Sequence, residues 1–489
     1  MPFPTVVSSP GKVLIAGGYL VLDPAYSGLV VSTSSRFYTV IQPAAISGNI
    51  RVRSPQFNAA TWDYSVSFDP TLVQDSPQNA SKNKFVQLAL QDTIFLAVEV
   101  KGVQAVKDAL GQGLDIAIVG DNDFYSQRAQ LTSLGLPRTL KSLASIQPFC
   151  PQGVTLSNVH KTGLGSSAAL ITSLVSALLL HFGVIPPAAL SDEQNEGRNL
   201  AHNLAQFIHC LAQGKVGSGF DVSAAVFGSH IYTRFDPSVL QDLMKDTHPT
   251  SIFPVVSHTN KAWNYQIGAF QLPPMTRIML ADVDAGSDTP SLVGKVLAWR
   301  KEKKEEAEEL WKTIDHLNQS LASTLLLLSS LHAKDPESYG KAVRWISSLQ
   351  AVQWTADPSV VEDIPAVSVF YEAHKITQSI RANMRKMGVE AGVPIEPEEQ
   401  TRLLDACVSQ AGVIGGGVPG AGGYDAVWLL VCEPSETQHD PLPREKIEYV
   451  WSNYKELSVS PLLAVESMAK GARMENIDEI KGLRDAIAL

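Results

Sequence analysis

Apolar residues recur at helical spacing directly after a loop of small residues. The repeat consists of Leu170, Ile171, Leu174, Val175, Leu178 and Leu179. This spacing predicts a helix with one buried face. The segment 163–170 reads GLGSSAAL, and its two glycines permit backbone angles and close approach that a side chain would forbid. Because the first amides of a helix are unpaired and partly positive, the layout predicts a phosphate-binding loop, with a serine-capped turn as the alternative.

Hydrophobic patterning along the rest of the chain predicts both strands and helices. Strands are predicted within 5–38, 51–68, 224–235 and 276–283, and helices over 83–98, 192–211, 292–331 and 365–387. The polar, proline-punctuated stretch 108–153 predicts a long excursion from the core. The irregular stretch 237–263 is a candidate crossover between two domains.

Two further glycine-rich segments lie near the two ends of the chain. Residues 10–19 read PGKVLIAGGY, which places a lysine at the start of an apolar strand that ends in paired glycines. Residues 415–425 read GGGVPGAGGYD and lead into the apolar run 426–431. Each segment alone fits a tight turn between strands, but three such loops together suggest one composite site.

In this order, the three segments resemble the signature motifs of the GHMP small-molecule kinase superfamily. Within it, the chain is most similar to the fungal-type phosphomevalonate kinases, because Gly18-Tyr19 stands where mevalonate kinases and galactokinases carry an acidic residue. The likeness extends to GSGFDV at 217–222, GSDTP at 286–290, IEP at 395–397 and LLD at 403–405. It implies an α/β (α+β) fold of two domains, 1–236 binding ATP and 237–489 following it, with mixed sheets, helices and an active site in the interdomain cleft.

The resemblance also implies an activity. The expected reaction is ATP-dependent phosphorylation of (R)-5-phosphomevalonate to (R)-5-diphosphomevalonate, with ADP as the second product and Mg²⁺ as the cation, in the mevalonate route to isoprenoids and sterols. Two alternatives stay open. One is a kinase of an unphosphorylated alcohol such as mevalonate, homoserine or a sugar, and the other is a catalytically silent ligand sensor of the same fold.

The resemblance assigns catalytic roles to Lys12 and Asp221. Phosphoryl transfer needs positioning and positive charge around the moving group, which Lys12 would supply. A phosphate monoester has a second pKa of about 6 and is mostly dianionic at neutral pH, so a general base is optional. We therefore expect Asp221 mainly to orient Lys12 and the acceptor.

The remaining candidate residues fall into binding groups. Those expected to hold ATP are Lys161, Gly163, Leu164, Gly165, Ser166, Ser167 and Ala168, with the hydroxyls of Ser166 and Ser167 directed toward Mg²⁺. Those expected to hold the acceptor are Gly18, Tyr19, Gly219, Ser287, Thr289, Arg381, Arg385, Gly420, Ala421 and Gly422. Arg381 and Arg385, at i and i+4 of one helix, form a fork suited to phosphate, although for at least one of them a surface position is the simpler interpretation.

Some relatives carry an acidic magnesium ligand in the region of Gln206 and His209, and this chain has none there. For His202 and His209 we expect packing or surface positions rather than metal ligation. Asn83 and Phe85 are assigned a place near the nucleotide.

Composition narrows the class of protein. The chain has 489 residues, 45% hydrophobic and 18% charged, with a formal net charge of -10, which is typical of a globular protein and predicts no broad basic surface for nucleic acid or membrane. Four cysteines without a CxxC pair predict buried free thiols. The sequence shows no signal peptide or membrane span, so we expect a cytoplasmic protein, with peroxisomal residence as the alternative left open, and without a P-loop sequence a nucleotide would not be bound as in P-loop enzymes. The resemblance implies ATP and phosphomevalonate as the partners, and we expect a monomer or weak homodimer.

Overall fold

The computed structural model describes residues 4–44, 48–192, 195–246, 249–283, 289–434 and 441–488. The strands are β1 (Thr5–Ala16), β2 (Ser27–Pro43), β3 (Asn49–Arg53), β4 (Thr61–Phe68), β5 (Thr71–Asp75), β6 (Leu114–Gly120), β7 (His230–Thr233), β8 (Gln266–Ala269), β9 (Thr276–Val283), β10 (Val413–Gly417), β11 (Ala426–Cys432), β12 (Val459–Leu462) and β13 (Arg473–Met474). The helices are α1 (Lys84–Lys101), α2 (Val103–Leu110), α3 (Arg128–Ser133), α4 (Leu140–Ser145), α5 (Ser166–His181), α6 (Glu196–Gln213), α7 (Phe220–Phe227), α8 (Ser238–Lys245), α9 (Phe253–Val256), α10 (Thr289–Glu302), α11 (Lys304–Lys334), α12 (Pro336–Ser348), α13 (Pro358–Asp363), α14 (Pro365–Ala391), α15 (Glu398–Val408), α16 (Pro443–Asn453) and α17 (Leu483–Ala488).

The larger sheet has the strand order β13-β1-β2-β6-β3-β4-β5, with β7 and β8 branching from β2. Strand β2 makes this branch possible because it is 17 residues long and pairs with β7 near its start and with β6 near its end. All pairs are antiparallel except β3 with β6. The smaller sheet is antiparallel, in the order β10-β11-β9-β12.

Strand β6 corrects the predicted excursion over 108–153. Its sequence LDIAIVG lies between β2 and β3 in the larger sheet. Ile116 and Ile118 pack into the main core, whereas Ala117 and Val119 pack under the C-terminal helix α17. A strand that is covered on both faces has a continuous apolar run instead of alternating apolar and polar residues. Because this run is short and lies within a polar stretch, the hydrophobic pattern did not identify it as a strand.

The predicted strand pair over 224–235 is also wrong in its first half. Residues 220–227 form helix α7, and only His230–Thr233 is a strand. The short run FDVSAAVF is apolar and contains β-branched residues, so periodicity alone could not separate helix from strand. The consequence is functional, since a helix now begins next to Asp221.

Helix α5 occupies the centre of the layer that covers the larger sheet, and it packs against β1, β2, α1, α6 and α7. The helix is confirmed, but it is buried almost all round rather than on one face. Ile171, Leu174 and Val175 are fully buried, and so are the polar Ser173 and Ser176. Since each large apolar side chain contributes about 1.5–3 kcal/mol on burial, the loop before α5 stands on a rigid base.

Helices also cover the smaller sheet, where α14 packs between α11 and β10. The predicted helices over 83–98, 292–331 and 365–387 are confirmed as α1, as α10 with α11, and as α14, and the predicted strand over 276–283 is β9. Strands β8 and β13, from after residue 236, join the larger sheet. The division at 236/237 therefore stays a prediction.

The four cysteines are buried and unbridged, as predicted. Among the described residues, no helix combines the length and the apolar character needed to cross a bilayer.

Candidate active site

The loop before α5 has the backbone of an anion cradle. Gly163 and Gly165 have φ angles of 80° and 78°, and Gly165 is the left-handed residue at which α5 begins. The first amides of such a helix have no helical acceptor and point out along its axis. A Cβ on Gly165 would lie 2.9 Å from Cε of Lys12, so glycine is what lets the lysine cross the loop here.

Lys12 is fixed to this loop from strand β1. Its backbone N–H donates to the carbonyl of Leu164 at 2.9 Å, and its Nζ donates to the carbonyl of Gly163 at 3.0 Å. The ammonium lies 5.3 Å from the ring centroid of Phe220, the first residue of α7. Burial lowers the pKa of Lys12, and the negative charge of Asp221 opposes that shift.

Asp221 lies in the first turn of α7, where its Oδ1 accepts a hydrogen bond from the N–H of Val222 at 3.0 Å. Its side chain is 22% exposed and its Oδ2 lies 3.8 Å from Nε2 of His209. The start of a helix stabilises a carboxylate through the partial positive charge there. Two helix starts, those of α5 and α7, therefore meet around Lys12.

The two histidines of α6 differ. His202 packs among aromatic rings, at 4.4 Å from the centroid of Tyr265 and 5.2 Å from that of Phe227, as predicted. His209 is also buried, but its Nε2 lies 3.1 Å from Oγ of Ser167. It therefore contacts the phosphate loop in addition to packing.

The glycine turn after β1 meets the C-terminal glycine turn. The N–H of Gly420 donates to the carbonyl of Leu14 at 3.2 Å, and the hydroxyl of Tyr19 donates to the carbonyl of Ala421 at 2.6 Å. A Cβ on Gly18 would lie 2.2 Å from the carbonyl oxygen of Gly420, so only glycine permits this approach. Residues 400 positions apart in sequence thus form one wall.

Behind that wall, α14 contributes a buried ionic cluster. Arg381 is 4% exposed and donates through Nε and Nη2 to the two oxygens of Glu396, at 3.1 and 2.7 Å. Its Nη1 lies 2.9 Å from both Gln378 and Asp405. Arg385 also donates to Glu396, at 2.7 Å, but is 35% exposed. The protein thus satisfies Arg381 on all sides, whereas Arg385 reaches solvent.

A cavity of about 30 Å³ separates this cluster from the glycine turns and is lined by Gly18, Met384, Gly420 and Trp428 among others. A water molecule needs about 10–15 Å³, so the cavity has room for about two or three waters. Here the turns pack against each other.

The chain matches known protein families in two segments. Residues 143–229 match the family described as "GHMP kinases N terminal domain", and residues 373–453 match the family described as "GHMP kinases C terminal". The chain is 38% identical to the peroxisomal phosphomevalonate kinase of Arabidopsis thaliana, covering 93% of both chains. It is 35% identical to a phosphomevalonate kinase of Aspergillus fumigatus, covering 98% of this chain and 99% of the relative. The chain belongs to the phosphomevalonate kinases of the GHMP superfamily.

A solved structure supports the fold of this phosphomevalonate kinase family member. The Streptococcus pneumoniae phosphomevalonate kinase in complex with phosphomevalonate and AMPPNP superposes with a TM-score of 0.52 at 16% identity, covering 96% of this chain and 99% of that one. The expected mixed α/β fold is confirmed. In this protein, the segments that contact Lys12 are the Gly163 loop and the start of α7.

The other candidates of this family member lie on further segments of the chain. Ser287 lies outside the described residues, and Thr289 is the first residue of α10. Lys161 is exposed and precedes the phosphate loop. Asn83 caps α1 by accepting from the N–H of Val86 at 3.2 Å, and the ring of Phe85 lies 6.5 Å from that of His209.

Sequence reasoning did not identify two neighbours of the site, Phe220 and Gln213. The amide Nε2 of Gln213 lies 3.2 Å from Nε2 of His209, one helical turn away. His209 and Gln213 lie at i and i+4 on the helix that precedes the Gly219 turn, and this spacing could have indicated their contact. Phe220 carried no signal, since an aromatic beside an aspartate is usually core.

Proposed function

We propose that this protein transfers the γ-phosphoryl group of ATP to the phosphate of phosphomevalonate, giving diphosphomevalonate and ADP. An acceptor phosphate oxygen would form the new bond to the γ-phosphorus, while the bond from that phosphorus to the oxygen retained by ADP breaks. The observation that carries the proposal is the meeting of Lys12, the Gly163 loop and Asp221 at two helix starts. Full-length relatives that bear the name phosphomevalonate kinase support the choice of acceptor.

Lys12 is our candidate for stabilising the transferring group. An ammonium has three N–H donors, and the Gly163 carbonyl accepts one of them. The other two are available to phosphate oxygens at the mouth of α5. Because burial already weakens the hydration of Lys12, a phosphate contact here is stronger than one at an exposed lysine.

The phosphate loop fits ATP and Mg²⁺. Among the described residues, nothing lies within 4 Å of a Cβ built on Gly163, so the loop has open space on that side. Mg²⁺ usually takes one or two protein oxygens together with phosphate and water oxygens. Ser166, Ser167 and Asp221 supply such oxygens, and the described residues hold no group of three or more His, Cys, Asp or Glu side chains that could bind a metal. When bound, Mg²⁺ would neutralise charge on the nucleotide phosphates.

For the acceptor side we propose a division between the two arginines. Arg385, which reaches solvent, is the candidate phosphate contact, whereas Arg381 holds Glu396 in place. Gly18, Tyr19, Gly420, Ala421 and Gly422 would shape the wall, with Gly219 at the turn before Asp221. Asp221 would orient Lys12 and the acceptor rather than remove a proton.

We also propose a cytoplasmic monomer or weak homodimer. The name of the Arabidopsis relative includes the word peroxisomal, so the cellular compartment needs a direct test. Imaging of the tagged protein and light scattering over a range of concentrations would check both proposals.

The decisive experiment measures ADP release with a panel of acceptors. We expect turnover with phosphomevalonate and little with mevalonate, homoserine or galactose. Faster turnover of an unphosphorylated alcohol would overturn the choice of acceptor. Thermal stabilisation by ligands without any ADP release would indicate a silent sensor instead.

A further inference from the structure

The ring of His209 connects the two helix starts of the site. Its Nε2 lies 3.1 Å from Oγ of Ser167 on α5 and 3.8 Å from Oδ2 of Asp221 on α7. Both distances come from one ring nitrogen on a third helix, α6. Three elements that arrive from different directions therefore share one polar contact point beside the phosphate loop.

This ring is held in place on several sides. The His209 side chain is 3% exposed, the amide of Gln213 lies 3.2 Å from Nε2, and the Phe85 ring packs at 6.5 Å between centroids. A buried ring with a fixed neighbour on its own helix loses little freedom when a ligand arrives. It is therefore suited to hold a group that has more than one conformation, and the Ser167 hydroxyl is such a group because its side chain has several staggered rotamers and its hydroxyl hydrogen can turn.

Hydrogen bonding restrains Ser167 in either tautomer of the ring. If Nε2 carries no proton, the serine O–H donates to it and the oxygen lone pairs of Ser167 stay available to a cation. If Nε2 is protonated, it donates to Ser167 Oγ and lies 3.8 Å from the carboxylate of Asp221, and the Gln213 amide then has to present its oxygen rather than its NH2 group to the ring. In both cases the hydroxyl oxygen keeps one position at the first turn of α5.

We propose that His209 is a positioning residue, which fixes the Ser167 hydroxyl and the Asp221 carboxylate relative to each other so that the nucleotide phosphates and the acceptor meet in one geometry. This inference rests on the proposed function. It assigns to the imidazole a position between two oxygen-bearing groups of the site. Removing the ring should therefore affect nucleotide binding and turnover together.

The test compares His209→Leu with His209→Gln, whose amide can hydrogen-bond in place of Nε2. Calorimetry measures the Kd of AMPPNP with and without Mg²⁺, and steady-state kinetics measures kcat and both KM values. We expect His209→Leu to weaken Mg²⁺-dependent AMPPNP binding and to lower kcat, each by about 10–100-fold, as is usual when a supporting hydrogen bond at a metal-nucleotide site is lost. His209→Gln should recover most of both.

A second arm tests whether His209 acts through Ser167. If it does, the double variant Ser167→Ala/His209→Leu should bind AMPPNP no more weakly than Ser167→Ala alone, because residues that act as a unit are not additive. Full additivity of the two losses would overturn the proposal. If the leucine variants do not fold, His209→Gln keeps the proposal testable, because a folded glutamine variant that loses AMPPNP affinity would overturn it.

The matched control is His202→Leu, on the same helix but packed among Phe227 and Tyr265. We expect it to lower the melting temperature while AMPPNP affinity stays within about twofold, as is usual for a distant and independent site. An equal loss of affinity in both variants, or folded His209→Leu with wild-type Kd and kcat, would overturn the proposal. The binding arms hold even if wild-type protein releases no ADP with phosphomevalonate, so failure of the proposed function is distinguishable.

Discussion

The pairs Lys12–Asp221 and Arg381–Glu396 differ in how many hydrogen bonds the cation makes within the protein. Lys12 faces the charge of Asp221, and among the described residues only the Gly163 carbonyl accepts a hydrogen bond from its ammonium group. Arg381 and Glu396 instead form a two-point contact, and Arg381 also reaches Gln378 and Asp405. The ammonium of Lys12 can therefore still donate hydrogen bonds to a ligand, whereas the guanidinium of Arg381 makes its hydrogen bonds within the protein.

This contrast separates a charge with a proposed functional role from a structural charge in one protein. A buried ion pair is costly to desolvate and becomes tolerable when its hydrogen bonds are complete. Arg381 meets that condition, so its removal should affect folding. Lys12 does not, so its removal should affect chemistry, and the following experiments test this contrast.

The largest effect is expected for Lys12→Met. The variant keeps the length and packing of the side chain but removes the charge, and we expect kcat to fall by about 10³-fold, as for other lost contacts to a transferring group. Stopped assays of ADP release measure it. Because we do not expect the Lys12–Asp221 pair to be needed for folding, the midpoint of urea unfolding should stay near that of the wild type. Retained activity in Lys12→Met would show that Lys12 does not stabilise the transferring group.

Arg381→Met should act on stability instead. It leaves Glu396 buried with only the half-exposed Arg385 as a cationic partner, and the loss should approach about 3–5 kcal/mol of unfolding free energy. Urea unfolding measures this loss. In the double variant Arg381→Met/Glu396→Met much of it should be regained, since no buried charge remains, and a double variant as unstable as the single one would contradict the explanation.

The wall of glycine turns gives a smaller, steric contrast. Gly18→Ala puts a methyl group 2.2 Å from the Gly420 carbonyl, and we expect a cost of about 1–3 kcal/mol and a higher KM for the acceptor. Gly420→Ala meets nothing within 4 Å and has only its φ of +64° to accommodate, at about 1 kcal/mol. Thermal unfolding of both variants checks the order, and the reverse order would show that the turns separate in solution.

The smallest effect is a shift in pH dependence. Lys12 acts in its protonated form, so kcat/KM should fall as pH rises through its pKa, which burial places below the ordinary 10.5. Asp221 raises that pKa, and Asp221→Asn should therefore move the alkaline fall to lower pH. A pH profile of kcat/KM measures the shift, with Asp92→Asn, buried in α1, as a control that should leave the fall in place.

Much of the arrangement of the candidate site was predictable, because glycine-rich segments mark the turns that have to approach one another closely. Lys12, the Gly163 loop and Asp221 meet as expected, and the two distant glycine turns contact each other. The predicted role of Arg381 in phosphate binding could not be checked from the sequence alone. The i, i+4 spacing places Arg381 and Arg385 on one helix face, but it does not show which anionic group they bind. That partner, Glu396, lies on another segment, and only tertiary packing brings it there.

The fold was predictable where one face of an element is solvated and less so where both are covered. Helix α14 showed its period, whereas β6 was hidden because Ile116 and Ala117 face different apolar layers. The contact between the His209 ring and Ser167 was also not predictable from the sequence. It depends on how α6 packs against α5, which a single sequence does not encode locally.

One feature of the larger sheet bears on how the protein is made. Strand β13, at residues 473–474, pairs with the edge of β1 at Val7 and Ser8, in the strand that carries Lys12. Because β1 is synthesised long before β13, the part of its edge at Val7 and Ser8 has no β13 partner while the residues between the two strands are made. An uncovered strand edge can pair with other chains, so this short part of the edge is open to such pairing until β13 has been made.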